Sequence, residues 1–166
     1  MRDLEAPGRS PAHGMHGMVA TSHAIATAVG LDVLRQGGNA MDAAVAACAV
    51  QCVVEPESTG IGGDNFCIYA PGGSIKDMVA FNGSGRAPAA ATPEWYAEKG
   101  ISTIERQSPH AVIVPGVIDA WETLIRDHGT MDLGEVLQPA IGYARDGYPV
   151  SSRVSTDFAS NAALLS

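Results

Sequence analysis

A glycine pair followed by a polar residue constrains the fold of this chain more than any other feature. Residues 37–44 read GGNAMDAA, and a glycine loop, residues 60–66, reads GIGGDNF. Gly37 or Gly38 can adopt the left-handed backbone that ends a helix, and Asn39 can cap the next helix through its side-chain oxygen. The first pattern predicts a sharp corner between two helices. The second predicts a backbone that approaches another segment closely.

Apolar residues recur at helical spacing on both sides of this corner. We expect the first helix to be capped by Thr21 or Ser22 and to end at Gln36. Residues 40–54 are apolar nearly all round, so the second helix should be buried on most sides.

Further helices are predicted towards the end of the chain. Amphipathic stripes indicate helices over residues 117–128 and 133–146. Pro139 either kinks the second of these or lies in the first turn of a helix that starts near Glu135. Shorter helices are predicted over residues 93–99 and 155–165.

Two strand-like runs lie in the middle of the chain. Residues 66–70 and 75–81 are joined by residues 71–74 (PGGS), a composition suited to a turn with positive backbone angles. We therefore expect a β-hairpin, and with the helices an α/β (α+β) fold.

Composition limits the partners. The chain has 166 residues, 46% hydrophobic, and a formal charge of −8, so it offers no basic face to nucleic acid. No secretory leader or run of about 20 apolar residues is visible. We expect a cytoplasmic protein with no nucleic-acid or membrane partner, a flexible lead-in at residues 1–17, and one domain or a piece of one beyond it.

Potential metal ligands are few. The chain has an odd number of cysteines, Cys48, Cys52 and Cys67, which makes a disulfide framework improbable. Zinc would need further ligands close by, so we expect reduced thiols that pack in the core. His13 and His16 lie in the lead-in without a carboxylate or thiol partner. No metal and no cofactor is predicted.

The sequence partly matches two functional motifs and fully matches neither. The glycine loop precedes a strand and lacks the remaining residues of a phosphate-binding motif. Ser84 lies in residues 82–86 (NGSGR), which lack the first glycine of a nucleophile elbow. His110 could in principle act as the base for Ser84, but no sequence pattern links the two residues. Neither predicts catalysis here.

Arg86 is more suggestive of binding. The small residues around it could present its guanidinium to a carboxylate, although a solvated surface arginine is the alternative. Glu55 and Glu57 flank Pro56 and either bind a cation or solvate a turn.

Five short motifs lie in a fixed order along the chain. They are residues 17–20 (GMVA), 37–46 (GGNAMDAAVA), 60–66 (GIGGDNF), 115–117 (PGV) and 143–150 (YARDGYPV). Together they resemble the start of the γ-glutamyltransferase family, in order and spacing, from Gly17 to Phe158.

The resemblance implies an N-terminal-nucleophile hydrolase with a four-layer αββα sandwich, to which this chain contributes helices and a hairpin. In that family a proenzyme cuts itself, and the new amino-terminal threonine of the small subunit attacks an amide, with its own amine as base. That threonine lies beyond this chain. Residues 18–166 would be the first part of a large subunit, inactive alone, whose partners are the rest of that subunit, the small subunit and a small γ-glutamyl or related amide substrate.

One loop departs from the family pattern. Glutathione-active members carry an Arg-Glu pair two residues before Ala-Pro, whereas residues 81–88 here read FNGSGRAP. Asn82 or Ser84 stands at the arginine's place, Arg86 is displaced, and the glutamate is absent. The resemblance therefore points to Arg86, Asn82 and Ser84 as substrate-binding residues but leaves the acyl group open.

Three alternatives stand beside this interpretation, and the first two are supported by the missing Arg-Glu pair. The enzyme could be an acylase for a different acyl group, or the chain could be a non-enzymatic binding or assembly module on the same fold. A small α/β ligand-binding domain, complete in itself, would unfold cooperatively in isolation.

Overall fold

The computed structural model describes residues 11–165 of the chain. Part of the predicted lead-in, residues 1–10, lies outside these described residues, and residues 11–17 have no helix or strand. The helices are α1 (Ala24–Arg35), α2 (Ala40–Val54), α3 (Pro93–Glu98), α4 (Val117–His128), α5 (Leu133–Asp146), α6 (Ser152–Ser160) and α7 (Ala162–Leu165), and the strands are β1 (Asn65–Tyr69) and β2 (Val79–Gly83). The helices and the single hairpin agree with the α/β (α+β) fold predicted from the sequence.

Helix α2 forms the centre of the core. It packs against α1, α4 and α5, and the nine buried residues of its fifteen lie on most of its faces. Trp121 of α4 is only 2% exposed and fills the space beside it. The prediction of a helix buried on most sides is confirmed.

The helix corner forms as the sequence predicts. Gly37 has a φ of 95°, and the Asn39 side-chain oxygen accepts hydrogen bonds from the N–H groups of Met41 (2.8 Å) and Asp42 (3.1 Å). The Asp42 carboxylate accepts from the N–H of Asn39 at 2.8 Å, which completes a capping box.

Asp42 also binds a distant segment. Its carboxylate, which is fully buried, accepts from the N–H of Thr130 (3.0 Å), the hydroxyl of Thr130 (2.7 Å) and the N–H of Met131 (3.3 Å). The side-chain amide of Asn39 donates to the carbonyl of His128 at 2.7 Å. The start of α2 is therefore fastened to the α4–α5 turn.

Strands β1 and β2 pair antiparallel, with Asn65 opposite Gly83 and Tyr69 opposite Val79. One face of the hairpin packs against α4 and the core. On the other face, Phe66 is 67% and Ile68 is 76% exposed. Among the described residues, nothing covers this second, apolar face.

The predicted second strand was wrong at its beginning. Strand β2 starts at Val79, not Ile75, because Ile75–Asp77 forms a 3₁₀ turn in which the Ser74 hydroxyl accepts from the N–H of Lys76 at 3.3 Å. The hairpin loop is correspondingly longer than the four residues expected. The positive angles predicted there do occur, at Gly72 and Gly73.

The predicted cap of α1 was also wrong. The Nδ1 atom of His23 accepts from the N–H of Ile25 at 3.2 Å, whereas Ser22 donates its hydroxyl to Glu55 at 2.5 Å and Thr21 donates to the carbonyl of His23 at 2.8 Å. His23 is 6% exposed, not the surface residue that a histidine beside a helix usually is.

The last helices differ from prediction at their boundaries. The predicted helix over residues 155–165 is two helices, α6 and α7, because the Ser151 hydroxyl caps α6 earlier, through the N–H of Val154 at 3.3 Å, and Asn161 ends it. Pro139 lies inside α5, beyond its first turn, because α5 begins at Leu133.

The three thiols are free and half-buried at the edge of the core. Burial raises the pKa of each, and for Cys48 the neighbouring Cys52 and Cys67 raise the pKa further. They therefore stay protonated at neutral pH. Within residues 11–165, no helix is long and apolar enough to cross a bilayer.

Candidate functional site

Three segments meet at one end of the hairpin, at what we call the loop junction. They are the glycine loop, residues 82–86 at the end of β2 and just beyond it, and residues 114–117 at the start of α4. The carbonyl of Gly63 accepts from the N–H groups of Gly116 (3.1 Å) and Val117 (3.2 Å). The close backbone approach predicted for the glycine loop is confirmed.

Two positions of the loop junction require glycine because there is no space for a side chain. A Cβ atom at Gly85 would lie 1.6 Å from the carbonyl oxygen of Val114, and one at Gly116 would lie 2.4 Å from that of Gly83. Both neighbours are backbone atoms, so a larger residue would have to move a chain segment.

Asp64 holds the segment after β2 in place. One of its carboxylate oxygens accepts from the N–H of Gly85 at 3.1 Å and from the hydroxyl of Ser84 at 3.2 Å. The side-chain oxygen of Asn82 accepts from the N–H of Ser84 at 3.0 Å. The conformation of this loop therefore depends on side chains of the glycine loop and of β2.

Arg86 follows directly. Its carbonyl accepts from the N–H of Val114 at 2.9 Å, while its side chain is exposed. No ion pair or side-chain hydrogen bond joins its guanidinium to any residue between 11 and 165. A fixed backbone with an unengaged guanidinium suits recognition of an anionic group from outside the chain.

The structure brings together three of the predicted residues, Asn82, Ser84 and Arg86, in this one loop. His110 is not among them, since its ring packs against Trp95 (5.6 Å between centroids) and Tyr96 (5.7 Å), and the Ser84 hydroxyl is directed at Asp64.

The contact between Asp64 and Gly85 was not predicted from the sequence. The one available signal was an aspartate within a stretch of glycines, where a side-chain oxygen can accept from a nearby backbone N–H.

Of the two acids after α2, Glu55 makes contacts that stabilise the fold. Glu55, 8% exposed, accepts hydrogen bonds from Ser22 (2.5 Å) and Gln51 (3.1 Å). Across residues 11–165, no three side chains of the metal-binding types are grouped closely enough to hold an ion. The Glu55 carboxylate therefore links α2 to the segment before α1.

Comparison with known proteins identifies the family. The sequence model of the family described as Gamma-glutamyltranspeptidase matches residues 26–166, and the chain superimposes on the crystal structure of Helicobacter pylori gamma-glutamyltranspeptidase with a TM-score of 0.80 and 30% identity, covering 92% of this chain and 44% of that one. The helices and hairpin are thus part of the fold of N-terminal-nucleophile hydrolases. The chain belongs to the γ-glutamyltranspeptidase family.

Two relatives indicate the range within the family. The Glutathione hydrolase-like YwrD proenzyme of Bacillus subtilis (strain 168) is 41% identical over 84% of this chain and 26% of its own length. The Acylase ACY 1 proenzyme of Pseudomonas sp. (strain SE83) is 39% identical over 93% of this chain and 29% of its own. The chain thus spans between a quarter and a third of the length of these relatives.

Proposed function

We propose that this chain forms one wall of the acyl pocket of an enzyme that hydrolyses or transfers the acyl group of a small amide. The nucleophile is the amino-terminal threonine of a second subunit, which forms when the proenzyme cuts itself and lies outside these 166 residues. The names of both relatives, one a hydrolase-like and one an acylase proenzyme, support this reaction class.

The chemistry determines what this chain must contribute. The threonine hydroxyl attacks the amide carbon while the threonine amine takes its proton, and the leaving amine departs with that proton. Water or an amino acid then attacks the acyl ester. None of these steps needs a group from residues 1–166, so the chain's contribution is to bind and orient the acyl group.

Arg86 carries this proposal. The N–H of Gly85, immediately before it, donates to Asp64 at 3.1 Å, and the carbonyl of Arg86 accepts from Val114 at 2.9 Å. The backbone is held on both sides of a guanidinium that no described residue engages. Such preorganisation lowers the entropy lost when a carboxylate binds.

The uncovered hairpin face supports the same reading. Phe66 and Ile68 are mostly exposed side chains of large apolar residues on adjacent positions of one face. A sheet face of this kind is normally buried against a second layer. We propose that the rest of the large subunit and the small subunit supply that layer.

The identity of the acyl group is the part of this proposal that residues 82–86 determine least. Asn82 is exposed at the end of β2, and its side-chain oxygen accepts from the N–H of Ser84. Neither Asn82 nor Ser84 carries the positive charge of the arginine in glutathione-active members. We propose Arg86 as the carboxylate-binding residue of a γ-glutamyl or similar donor. The alternative, an acylase for another acyl group, is favoured by this same replacement.

The test uses the complete gene product and γ-glutamyl-p-nitroanilide. Replacing Arg86→Ala should raise KM about tenfold or more with a smaller change in kcat, because the lost charge-assisted bond acts in binding. Arg106→Ala is the matched control, since Arg106 is also exposed, and Arg86→Lys should recover part of the loss. An unchanged KM would mean that Arg86 is a solvated surface residue that does not bind the substrate.

Self-cleavage tests the enzyme class itself. The complete protein should divide into two subunits and release p-nitroaniline, whereas the 166-residue chain should do neither. A complete protein that stays uncut and inactive with both γ-glutamyl and neutral acyl anilides would favour a binding or assembly module.

A further inference from the structure

We propose that Asp64 is a positioning residue that sets where Arg86 stands and thereby sets the preference of the enzyme for carboxylate-bearing donors. This inference rests on the proposed function and names a determinant of its substrate selectivity. Asp64 itself does not touch the substrate. It acts through two hydrogen bonds to the residues that precede Arg86.

The bonds of Asp64 converge on one short segment. A single carboxylate oxygen accepts from the Gly85 N–H (3.1 Å) and from the Ser84 hydroxyl (3.2 Å). The Gly85 N–H belongs to the Ser84–Gly85 peptide, and the φ and ψ angles of Gly85 separate that peptide from the Arg86 nitrogen. The bond to Asp64 therefore restricts the backbone segment from which the Arg86 side chain extends.

Apart from the pairing of Gly83 in the hairpin and close packing against residues 114–116, few contacts hold the segment. Between Asn82 and Arg86 lie only glycine and serine, which have wide conformational freedom. The Asn82 bond reaches the Ser84 N–H, and the Val114 bond fixes the far side of Arg86. Asp64 supplies the acceptor between them, so its loss frees the Gly85 peptide.

The other carboxylate oxygen makes no hydrogen bond within residues 11–165, and Asp64 is exposed. A side-chain amide could therefore replace the carboxylate, with its oxygen on Gly85 and its NH₂ towards solvent. The role depends on an acceptor at this point and not on a negative charge. Asp64→Asn should accordingly act like the native residue, and Asp64→Ala should not.

The experiment is a double-mutant cycle in the complete protein. Asp64→Ala should raise KM for γ-glutamyl-p-nitroanilide about fivefold to tenfold, with kcat less affected, and Asp64→Asn should restore it. In the Arg86→Ala background, Asp64→Ala should have no further effect, because its action passes through Arg86. Additive effects, or an Asp64→Asn variant as impaired as Asp64→Ala, would overturn the proposal.

A second measurement is independent of activity. Amide hydrogen exchange at Gly85 should be about tenfold faster in Asp64→Ala and near the native rate in Asp64→Asn, since the N–H loses its acceptor in the first variant alone. Asp77→Ala, which removes an exposed acid from the hairpin loop, is the control and should leave exchange at Gly85 unchanged.

The two measurements separate the possible failures. Faster exchange in a protein that cleaves neither anilide would contradict the proposed function while the positioning contact stands. Unchanged exchange and an unchanged KM in an active Asp64→Ala enzyme would refute the role of Asp64 and leave the proposed function intact.

Discussion

Two aspartates bind distant backbone segments in this molecule, one in the core and one at the surface. Asp42 is fully buried and accepts from Asn39, Thr130 and Met131. Asp64 is exposed and, of the residues between 11 and 165, accepts only from Ser84 and Gly85. The same chemical device therefore fastens the helical scaffold in one place and orients a surface loop in the other.

Burial explains the difference. A buried carboxylate must recover its lost hydration from hydrogen bonds, so each donor around Asp42 is needed and none is left for a ligand. Asp64 keeps contact with water, and its bonds therefore contribute little to overall stability. What they contribute is local order beside Arg86, where order matters for binding.

The largest expected effect is at Asp42. Asp42→Ala should lower the free energy of unfolding of the complete protein by about 3 kcal/mol or more, because several buried donors lose their acceptor. Denaturant unfolding would measure this. Asp32→Ala is the control, since Asp32 pairs with Arg35 on the surface and should change stability by less than about 0.5 kcal/mol. Equal losses would contradict the contrast between buried and exposed acids.

Substituting one glycine beside each aspartate should separate effects on stability from effects on donor selectivity. A Cβ atom at Gly129 would lie 2.7 Å from a carboxylate oxygen of Asp42, and one at Gly85 would lie 1.6 Å from the Val114 carbonyl oxygen. Each alanine variant should cost on the order of 2 kcal/mol of stability through overpacking.

The two variants should differ in catalysis. Gly85→Ala shifts the loop that carries Arg86 and should reduce the preference for carboxylate-bearing over neutral anilides about tenfold. Gly129→Ala should leave that preference unchanged. Ratios of kcat/KM for the two donors measure it, and a loss of preference in Gly129→Ala would show that the regions are coupled.

Local patterns predicted the scaffold well. The corner at Gly37 and Asn39 was predictable because both the left-handed glycine and the cap act within a few residues. The stripes of α4 and α5 were predictable because one face of each helix is buried.

Contacts between distant residues were not predictable in the same way. Asp42 and Thr130 are 88 positions apart, and Asp64 and Gly85 are 21 apart, and no sequence pattern links either pair. The start of the second strand was predicted too early, because Ile75 has strand propensity but lies in a turn capped by Ser74. The candidate loop was found from its departure from a family pattern, and its geometry only from the structure.

The smallest expected effect compares the two hydroxyl groups that bind these acids. The Thr130 hydroxyl donates to Asp42 at 2.7 Å and the Ser84 hydroxyl donates to Asp64 at 3.2 Å. Thr130→Val should destabilise the protein by about 1 kcal/mol, because it leaves part of a buried carboxylate without a donor, whereas Ser84→Ala should change stability by less than about 0.5 kcal/mol. Thermal unfolding of both variants tests this, and KM should stay near native in Ser84→Ala because Gly85 still donates to Asp64. A greater loss of stability in Ser84→Ala than in Thr130→Val would mean that burial does not set the strength of these contacts.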